Sequence, residues 1–387
     1  MGKILFLPLN TNHVLIFQSV LRALKCHYEV LCHDKISDAK QYQTENLLKE
    51  RGIQFRHFSK VVSRFQSDNF IMRLIAFFKM KASIIETLKE ISPDLVVLGI
   101  DNDPIAQIVI GESNKLGYKT VLLQEGLITP NQFSSRKIHL SDYGYNFLRS
   151  IGICLNYIEY GSGNWDKILV GGNLPYTILR KMGFSEERVA IVGIPKYDEF
   201  LMRTKDLQPV LNETKTYLYA ARPTIIKDDR NIRFLKKLVE TTDDLKIHLI
   251  IKLHPRSPLE PDDIYNVIKL KDKSSVEIIK QGDDTFEILK RSYALITDFS
   301  TVALEALIMG KECVAASYLA GDNRFEYNEY DAIYVVENES EIYDKIKSSM
   351  LFKKGRLNKL RLLEDELFKL DGNSSLRAAR YFESMIA

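Results

Sequence analysis

The sequence predicts an α/β protein of two domains, each a doubly wound parallel sheet with helices on both faces. Strand and helix patterns alternate along nearly the whole chain, which is typical of parallel sheets joined by crossover helices. The chain has 387 residues, more than one ordinary core holds. We therefore expect two such domains facing each other across a cleft.

The first half of the chain begins with the apolar run KILFLPL and continues in regular alternation. Continuous apolar runs such as LVVL indicate strands that are buried on both faces. The stretches between them repeat apolar residues with the helical period. The predicted strands are 3–9, 28–32, 53–55, 93–100, 120–123, 167–170 and 189–192, and the predicted helices are 14–24, 37–51, 70–91, 103–115 and one from residue 174.

A second alternation follows a polar stretch, 198–215, that contains Pro209. We place the domain linker in this stretch, so the predicted Rossmann-like domains are residues 1–205 and 206–372. The final segment, 373–387, is predicted to be an amphipathic helix that crosses back to the first domain. The predicted strands of the second half are 217–221, 248–253, 276–279, 293–297 and 313–316, and its predicted helices are 231–240, 261–269, 285–290 and 302–309.

Composition excludes several classes of protein. A net charge of +3 is too small to indicate a nucleic-acid partner. The four cysteines, Cys26, Cys32, Cys154 and Cys313, show no metal-ligand spacing. We interpret them as free thiols in a reducing, cytoplasmic compartment and predict no metal site.

The membrane signals are confined to one stretch. The N-terminus carries a single positive charge and an apolar run that fits a first strand better than a signal peptide. No stretch reaches the roughly 18 apolar residues of a spanning helix. Residues 69–82, NFIMRLIAFFKMKA, combine an apolar face with positive charges. They predict either a core-facing helix or a helix lying on anionic lipid at the inner face of the membrane.

The most informative chemistry follows the strand IIKL. Lys252, His254, Pro255 and Arg256 come at its carboxyl end, where open parallel sheets bind ligands. An imidazole beside two cations can bind a phosphate or stabilise a phosphate leaving group. These residues therefore predict part of a site for a nucleotide phosphate.

The strand YALIT delivers the second part of this site. Asp298, Ser300 and Thr301 follow it, and Glu305 lies one turn into the next helix. A hydroxyl side chain at a helix start and the unpaired N–H groups of that turn suit an anion. Glu305 could accept hydrogen bonds from ribose hydroxyls, and the alternative is an ordinary helix cap with a surface carboxylate.

Arg222 follows the first strand of the second half. It is a candidate for contact with phosphate, and the alternative is an ion pair with Asp228 or Asp229.

The first half carries the candidates for proton transfer. Glu125 lies in Gln124-Glu125-Gly126 at a strand end, where a carboxylate can take a proton from an acceptor hydroxyl. His13, after the first strand, is a rival base, and Asp101 with Asp103 is a weaker pair. The loop after the first strand lacks the G-x-G-x-x-G pattern, which argues against an NAD enzyme.

These motifs together resemble the GT-B glycosyltransferases, and more narrowly the polysialyltransferases among the bacterial capsule and surface-polymer transferases. That family has an acidic-acidic-Gly motif, a His-Pro motif and a Ser-Ser/Thr motif, which QEG, His254-Pro255 and Ser300-Thr301 would match. The first acidic position is Gln124 here, so only Glu125 can inherit the base role. The resemblance implies that His254, Ser300 and Thr301 contact a cytidine monophosphate group.

Residues 215–380 are also similar to CDP-glycerol glycerophosphotransferases, through IKLHPR, TDFST and LDGNSSLRAARYF. The UDP-GlcNAc 2-epimerases share the same architecture. The resemblance thus implies a donor nucleotide on the second domain and an acceptor on the first.

The function expected from these residues is inverting transfer of a sugar from a nucleotide-activated donor, with cytidine favoured, to a glycan or lipid-linked acceptor in surface polysaccharide synthesis. Glu125 would be the base, while His254, Ser300, Thr301 and Lys252 stabilise the departing phosphate. No DxD motif suggests a metal, and no cofactor is expected. The alternatives are a CDP-alditol phosphotransferase, a sugar-nucleotide epimerase that would use Asp101, Asp103 and Glu125, and a non-enzymatic scaffold subunit.

Overall fold

The computed structural model describes residues 2–33, 44–58, 69–128, 147–155, 163–205, 207, 215–223, 225–254, 257–269, 274–280, 284–298, 300–319 and 326–387. The chain divides into two compact units. Unit 1 comprises Met1–Glu199 with Glu366–Ala387, and unit 2 comprises Phe200–Asp365. Each unit is built on a parallel sheet with helical crossovers, which confirms the predicted α/β fold class.

Unit 1 contains a seven-stranded sheet. Its strands are β1 (Lys3–Leu7), β2 (His27–Cys32), β3 (Arg56–His57), β4 (Leu95–Leu98), β5 (Lys119–Leu123), β6 (Lys167–Val170) and β7 (Val189–Ile191). Its helices are α1 (Thr11–Ala23), α2 (Thr44–Glu50), α3 (Phe70–Ile91), α4 (Pro104–Lys115), α5 (Asn173–Lys181) and α6 (Lys196–Thr204), the last of which continues into unit 2. The strand order is β3-β2-β1-β4-β5-β6-β7.

Alternate residues of the central strands line two separate cores. Leu5 and Leu7 of β1 belong to the core that includes Phe77 of α3. Ile4 and Phe6 face the opposite core, which includes Phe382 near the C-terminus. Because side chains alternate along a strand, this two-sided burial explains why the strands read as continuous apolar runs.

Unit 2 contains a six-stranded sheet in the order β10-β9-β8-β11-β12-β13. Its strands are β8 (Thr216–Ala220), β9 (His248–Lys252), β10 (Val276–Ile279), β11 (Ala294–Thr297), β12 (Glu312–Ala316) and β13 (Tyr334–Val336). Its helices are α7 (Asp229–Asp244), α8 (Pro261–Ile268), α9 (Thr285–Arg291), α10 (Val302–Ile308), α11 (Ile342–Leu351) and α12 (Arg356–Leu367), the last of which ends in unit 1.

The structure differs from the sequence prediction in three places. The third strand is Arg56–His57, not 53–55, because the Ile53 N–H closes the end of α2 on the Leu48 carbonyl at 3.0 Å. The start of the predicted linker is helical, since α6 covers residues 196–204. Strand β13 was not predicted because it has only three residues. Helices α11 and α12 were not predicted because their charged residues obscure the periodicity.

The last helix, α13 (Ser374–Ile386), belongs to unit 1 and packs against α1. The buried carboxylate of Asp198 accepts hydrogen bonds from the N–H groups of Ser374, at 3.0 Å, and Ser375, at 2.6 Å. Gly193, with φ +88°, leaves room for this contact, since a Cβ there would lie 2.2 Å from the Ser374 hydroxyl oxygen. The segment 193–198, with the sequence GIPKYD, therefore anchors α13 to the sheet.

No helix in the described ranges is long and apolar enough to cross a membrane.

Replacing Asp198 by alanine removes the acceptor for the first N–H groups of α13. Hydrogen bonds to a charged group stabilise a fold by about 1.5–3 kcal/mol, so we expect D198A to lower the free energy of unfolding by about 2–3 kcal/mol. Urea unfolding measures this loss. The neighbouring exposed variant Glu199→Ala should stay within about 0.5 kcal/mol, and equal stabilities of the two variants would contradict the anchoring role.

Candidate active site

In unit 1 the strand order reverses between β1 and β4. The connections after these two strands run in opposite directions, which opens a crevice at the carboxyl edge of the sheet. Asn10 caps α1 here by accepting a hydrogen bond from the His13 N–H at 3.0 Å. The first turn of α1 thus brings His13 directly over the reversal.

His13 and Glu125 form a close pair across this edge. The His13 Nε2 atom lies 2.5 Å from Oε2 of Glu125. Asn12 donates to Oε1 at 2.9 Å, and Asn10 donates to Oε2 at 3.2 Å. His13 is completely buried, whereas the Glu125 side chain is 17% exposed. The structure therefore joins the two rival bases into one unit of which Glu125 is the accessible end.

The absence of a side chain at residue 99 makes this arrangement possible. A Cβ on Gly99 would lie 2.6 Å from Cδ2 of the His13 ring, closer than real Cβ contacts. Sequence reasoning noted the end of this strand but missed Gly99 as a functional position. The only signal available was a glycine directly after a buried apolar strand.

The backbone determines the tautomer of His13. The Leu9 N–H donates to Nδ1 of His13 at 2.9 Å, so Nδ1 is an acceptor without a proton. Nε2 then carries the proton and donates it to Glu125. His13 therefore orients the carboxylate, and Glu125 is left as the group that can accept a proton from a ligand.

Burial by itself raises the pKa of Glu125, but His13, Asn12 and Asn10 outweigh burial and lower the pKa to about 2. The carboxylate is thus ionised throughout the neutral range. Such a group is a weak base toward a free hydroxyl, but it holds one as a hydrogen-bond donor. It can take the proton once the hydroxyl oxygen becomes positively charged.

The other carboxylates predicted for this edge have structural partners. Asp101 is buried and accepts hydrogen bonds from the Trp165 indole N–H at 2.9 Å and the Gly163 N–H at 3.0 Å. Asp103 caps α4 by accepting from the Ile105 N–H at 2.7 Å.

Gln124, at the first acidic position of the resemblance, is also structural. It is buried, donates to the Gly126 carbonyl at 2.8 Å and accepts from the Gly171 N–H at 2.6 Å.

In unit 2 the strand order reverses between β8 and β11. Arg222 follows β8, and its Nε donates to the carboxylate of Asp298, the first residue after β11. A second hydrogen bond, 3.0 Å long, joins Arg222 to the Leu319 carbonyl. Asp298 is buried, whereas the Arg222 side chain is 28% exposed. Asp298 therefore acts through Arg222, whose guanidinium it directs toward the strand ends.

Asp228, one of the two partners that the sequence offered for Arg222, has another role. It caps α7 by accepting from the Asn231 N–H at 2.9 Å.

Lys252 and His254 lie at the end of β9, the neighbour of β8 on the other side. Lys252 is buried, and His254 is half-buried. The backbone turns after them, because the His254 carbonyl accepts from the Ser257 N–H at 2.8 Å. Pro255 and Arg256 lie outside the described residues.

Ser300 and Thr301 open α10, as predicted. The Ser300 hydroxyl accepts from the Val302 N–H at 3.3 Å, while Thr301 is the N-cap residue. Glu305 is half-buried one turn later. The structure therefore brings Arg222, Asp298, Ser300 and Thr301 to the reversal in unit 2, with Lys252 and His254 one strand away.

Comparison with known proteins agrees with this architecture. Residues 176–382 match the family model described as UDP-N-acetylglucosamine 2-epimerase. The teichoic acid glycerol-phosphate primase of Bacillus subtilis strain 168 is 24% identical over 241 residues, which are 58% of this chain and 59% of the primase. The match therefore spans less than two thirds of that relative's length.

Two solved structures extend the likeness to the whole chain. The UDP-GlcNAc 2-epimerase of Methanocaldococcus jannaschii, in complex with UDP-GlcNAc and UDP, has a TM-score of 0.66 at 16% identity, over 99% of this chain and 100% of the epimerase. A glycosyltransferase from Rickettsia africae has a TM-score of 0.62 at 14% identity, over 100% and 98% of the two chains. At such identities the likeness shows the fold, which is GT-B-like.

Glu125 makes stability depend on pH in a defined direction. Because its folded pKa of about 2 lies below the ordinary value of 4.5, its stabilisation is present above pH 4.5 and is lost as the pH falls toward 2. Gly99→Ala displaces His13, so we expect the variant to raise the folded pKa and to weaken this dependence. The added methyl group also crowds the His13 ring, which should lower the free energy of unfolding by about 1–3 kcal/mol at neutral pH.

Urea unfolding between neutral and acidic pH measures both effects. Gly111→Ala is the matched control, because a Cβ there meets open space. A Gly99→Ala protein with the pH dependence of the wild type would show that His13 does not hold the Glu125 carboxylate.

Proposed function

The chain belongs to the UDP-N-acetylglucosamine 2-epimerase family. From the arrangement of Glu125 and its neighbours at the edge of the unit 1 sheet, we propose that it is an enzyme that transfers a sugar from a nucleotide-activated donor to an acceptor hydroxyl. The finer proposal is an inverting glycosyltransferase that acts without a metal ion in the synthesis of a surface polysaccharide.

One observation carries the choice of a transferase over an epimerase. Epimerisation was expected to use Asp101, Asp103 and Glu125 together. Asp101 holds Trp165 and Asp103 caps α4, so Glu125 is the one of the three whose carboxylate serves no such structural partner. With Asp101 and Asp103 engaged in this way, one carboxylate is left for a substrate, which supports the one proton transfer of a glycosyl transfer.

In the proposed reaction the acceptor oxygen attacks the sugar carbon that carries the nucleotide phosphate. The new carbon–oxygen bond forms as the bond to the phosphate oxygen breaks, and that oxygen keeps the electron pair. Attack from the opposite face inverts the configuration. The acceptor proton passes to Oε1 of Glu125, which has Asn12 as its partner, while Oε2 stays hydrogen-bonded to His13.

The low pKa of Glu125 fits this sequence of events. A carboxylate with a pKa of about 2 does not deprotonate a free hydroxyl, but an oxygen that is already bonding to the sugar carbon is far more acidic. Proton transfer therefore follows carbon–oxygen bond formation. Glu125 consequently does not activate a hydroxyl against the donor before an acceptor is aligned with the sugar carbon.

In this proposal, side chains of unit 2 stabilise the negative charge of the departing phosphate. Arg222 supplies a positive charge whose direction Asp298 controls. His254 and Lys252, with the hydroxyls of Ser300 and Thr301, supply further donors at neighbouring strand ends. Such preorganised donors stabilise a leaving group electrostatically. A cytidine-linked donor is the finer proposal and is supported by the His-Pro and Ser-Thr motifs.

Two other reactions remain as competing proposals, each favoured by one comparison. The family match favours an epimerase acting on UDP-GlcNAc. The likeness to the Bacillus primase favours transfer of an alditol phosphate, in which the same hydroxyl attacks phosphorus and the product contains a phosphodiester.

Replacing Glu125 by glutamine removes the proton acceptor but keeps the shape of the side chain. We expect E125Q to lower kcat by about 10²–10⁴-fold and to leave nucleotide affinity unchanged, because the donor groups lie in the other unit. Steady-state kinetics and nucleotide-induced thermal shifts measure the two quantities. The exposed variant Glu187→Gln should match the wild type in both.

The donor and the product distinguish the three reactions. Cytidine and uridine nucleotides are compared first by thermal shift, and turnover is then followed by NMR with and without an acceptor. Conversion of UDP-GlcNAc to its 2-epimer without an acceptor would overturn the transferase in favour of an epimerase. A phosphodiester in the product would establish the phosphotransferase.

The acceptor is proposed to be lipid-linked, and an exposed apolar surface on unit 1 supports this. Seven of the thirteen large apolar side chains exposed in the described part of the chain lie in α3 or in residues 147–151. They are Phe70, Ile71, Met72, Ile75, Phe78, Phe147 and Ile151. We call this set the apolar face of unit 1. Clustering on this scale marks an interaction site, not chance exposure.

Basic residues accompany the apolar face. Ile71, Ile75 and Phe78 recur with helical spacing, and Arg73 donates to the Leu155 carbonyl, which fixes residues 147–155 beside α3. Stretches 69–82 and 147–155 contain Arg73, Lys79, Lys81 and Arg149 but no acidic residue. Exposed apolar side chains among cations suit an anionic lipid surface.

Cosedimentation with lipid vesicles tests this surface. We expect binding to vesicles with anionic lipid, weaker binding to neutral ones, and at least about tenfold weaker binding of the double variant Ile71→Ser, Phe78→Ser. Leu357→Ser, which removes an even more exposed apolar side chain elsewhere, is the control. Equal binding by the double variant would contradict the proposal, whereas turnover of a soluble acceptor would leave the chemistry at Glu125 intact.

A further inference from the structure

A second group of reactive side chains lies at the outer edge of the unit 1 sheet, among residues with no role in the proposed reaction. Cys32 ends β2, His57 ends β3, and Glu45 lies in the first turn of α2. Their ligand atoms all lie within 4.8 Å of one another. No spacing in the sequence indicated this cluster, because the three residues come from three different elements.

The sheet register produces the central contact. Cys32 and His57 are direct partners in the parallel pairing of β2 with β3, so their side chains project from neighbouring positions on the same face. Glu45 completes the cluster, with Oε2 at 3.6 Å from Nε2 of His57. Cys32 is fully buried, whereas about a fifth of the His57 side chain is exposed.

Two further observations concern how the protein holds His57 and Glu45. Nδ1 of His57 is buried and has no hydrogen-bond partner among the residues that the structure describes, which is costly for an imidazole nitrogen. Oε1 of Glu45 is held by Lys49 at 2.7 Å. A carboxylate held in this way is oriented as metal-binding carboxylates usually are, by a partner on its other oxygen.

We propose that Cys32, Glu45 and His57 bind one zinc ion. Sulfur, nitrogen and oxygen together are the ligand set of zinc, whereas magnesium and calcium require oxygen ligands. Tetrahedral zinc holds such atoms about 3.5 Å apart, so separations of up to 4.8 Å need to close by at most about 1.3 Å. The thiol loses its proton to solvent on binding, and the thiolate and carboxylate then balance the two positive charges. Water fills the fourth position.

The ion would serve the fold, not the reaction. It would join β2, β3 and α2, and β3 is an edge strand of only two residues. Such a short strand gains few ladder hydrogen bonds, so a link through His57 would fix its position. This inference is independent of the proposed transferase.

Cobalt substitution in the full-length, chelator-treated protein tests the site. We expect one Co²⁺ per chain to produce thiolate-to-metal charge-transfer absorption, and zinc to displace it and to raise the melting temperature. Cys32→Ser should abolish the charge-transfer band and weaken metal binding at least about 100-fold. Cys26→Ser, a thiol outside the cluster, should behave as the wild type.

Because Cys32 is buried, its replacement could lower metal binding by misfolding the protein, so a second variant is needed to separate the two effects. His57→Gln changes a partly exposed side chain and should weaken metal binding while the far-UV circular dichroism stays native. Absence of one-to-one binding by the wild type would overturn the site. An unchanged cobalt spectrum in a folded Cys32→Ser or His57→Gln protein would overturn it equally.

Discussion

The reversal of strand order at the centre of each sheet is the constraint on which the candidate active-site residues of both units depend. The strands run parallel and are buried on both faces, so polar side chains can gather only beyond the last strand residues. Connections diverge at the reversal and leave that edge open. In unit 1 the reversal carries His13, and in unit 2 it carries Arg222 and Asp298. The two units thus share one geometry, which places a histidine–carboxylate pair at the reversal in unit 1 and a guanidinium–carboxylate pair at the reversal in unit 2.

Within unit 1, a short series of contacts determines the character of the carboxylate. The Leu9 N–H fixes the tautomer of His13, Gly99 provides the space for the ring, and His13 with two asparagines holds Glu125 ionised. A strong base could deprotonate water at any time, and the resulting hydroxide could attack the donor. A weak, well-oriented one acts only on an oxygen that has begun to bond. In the proposed transfer, the low pKa of Glu125 would therefore favour selectivity for an aligned acceptor over general basicity.

The fold alone does not decide among epimerase, glycosyltransferase and phosphotransferase, because all three chemistries occur on this architecture. The distinction rests on which carboxylates are left for a substrate. Asp101 and Asp103 are used by Trp165, Gly163 and the start of α4. A family match that begins at residue 176 covers unit 2 in full and little of the unit 1 edge. The residues that distinguish the reactions therefore lie outside the matched region.

The sequence by itself determined the α/β class and the positions of most strands. It also located the polar residues at their ends, from His254 to Ser300. It could do so because the strand period, the apolar runs and the strand-terminating residues are local properties of the chain. It missed β13, which has only three residues, and it missed α11 and α12, whose polar surfaces obscure the pattern. Only the tertiary structure paired His13 with Glu125 across 112 residues, Arg222 with Asp298 across 76, and Asp198 with Ser374 across 176. Those partners are chosen by strand order and register, which place distant residues side by side and leave no trace in local spacing.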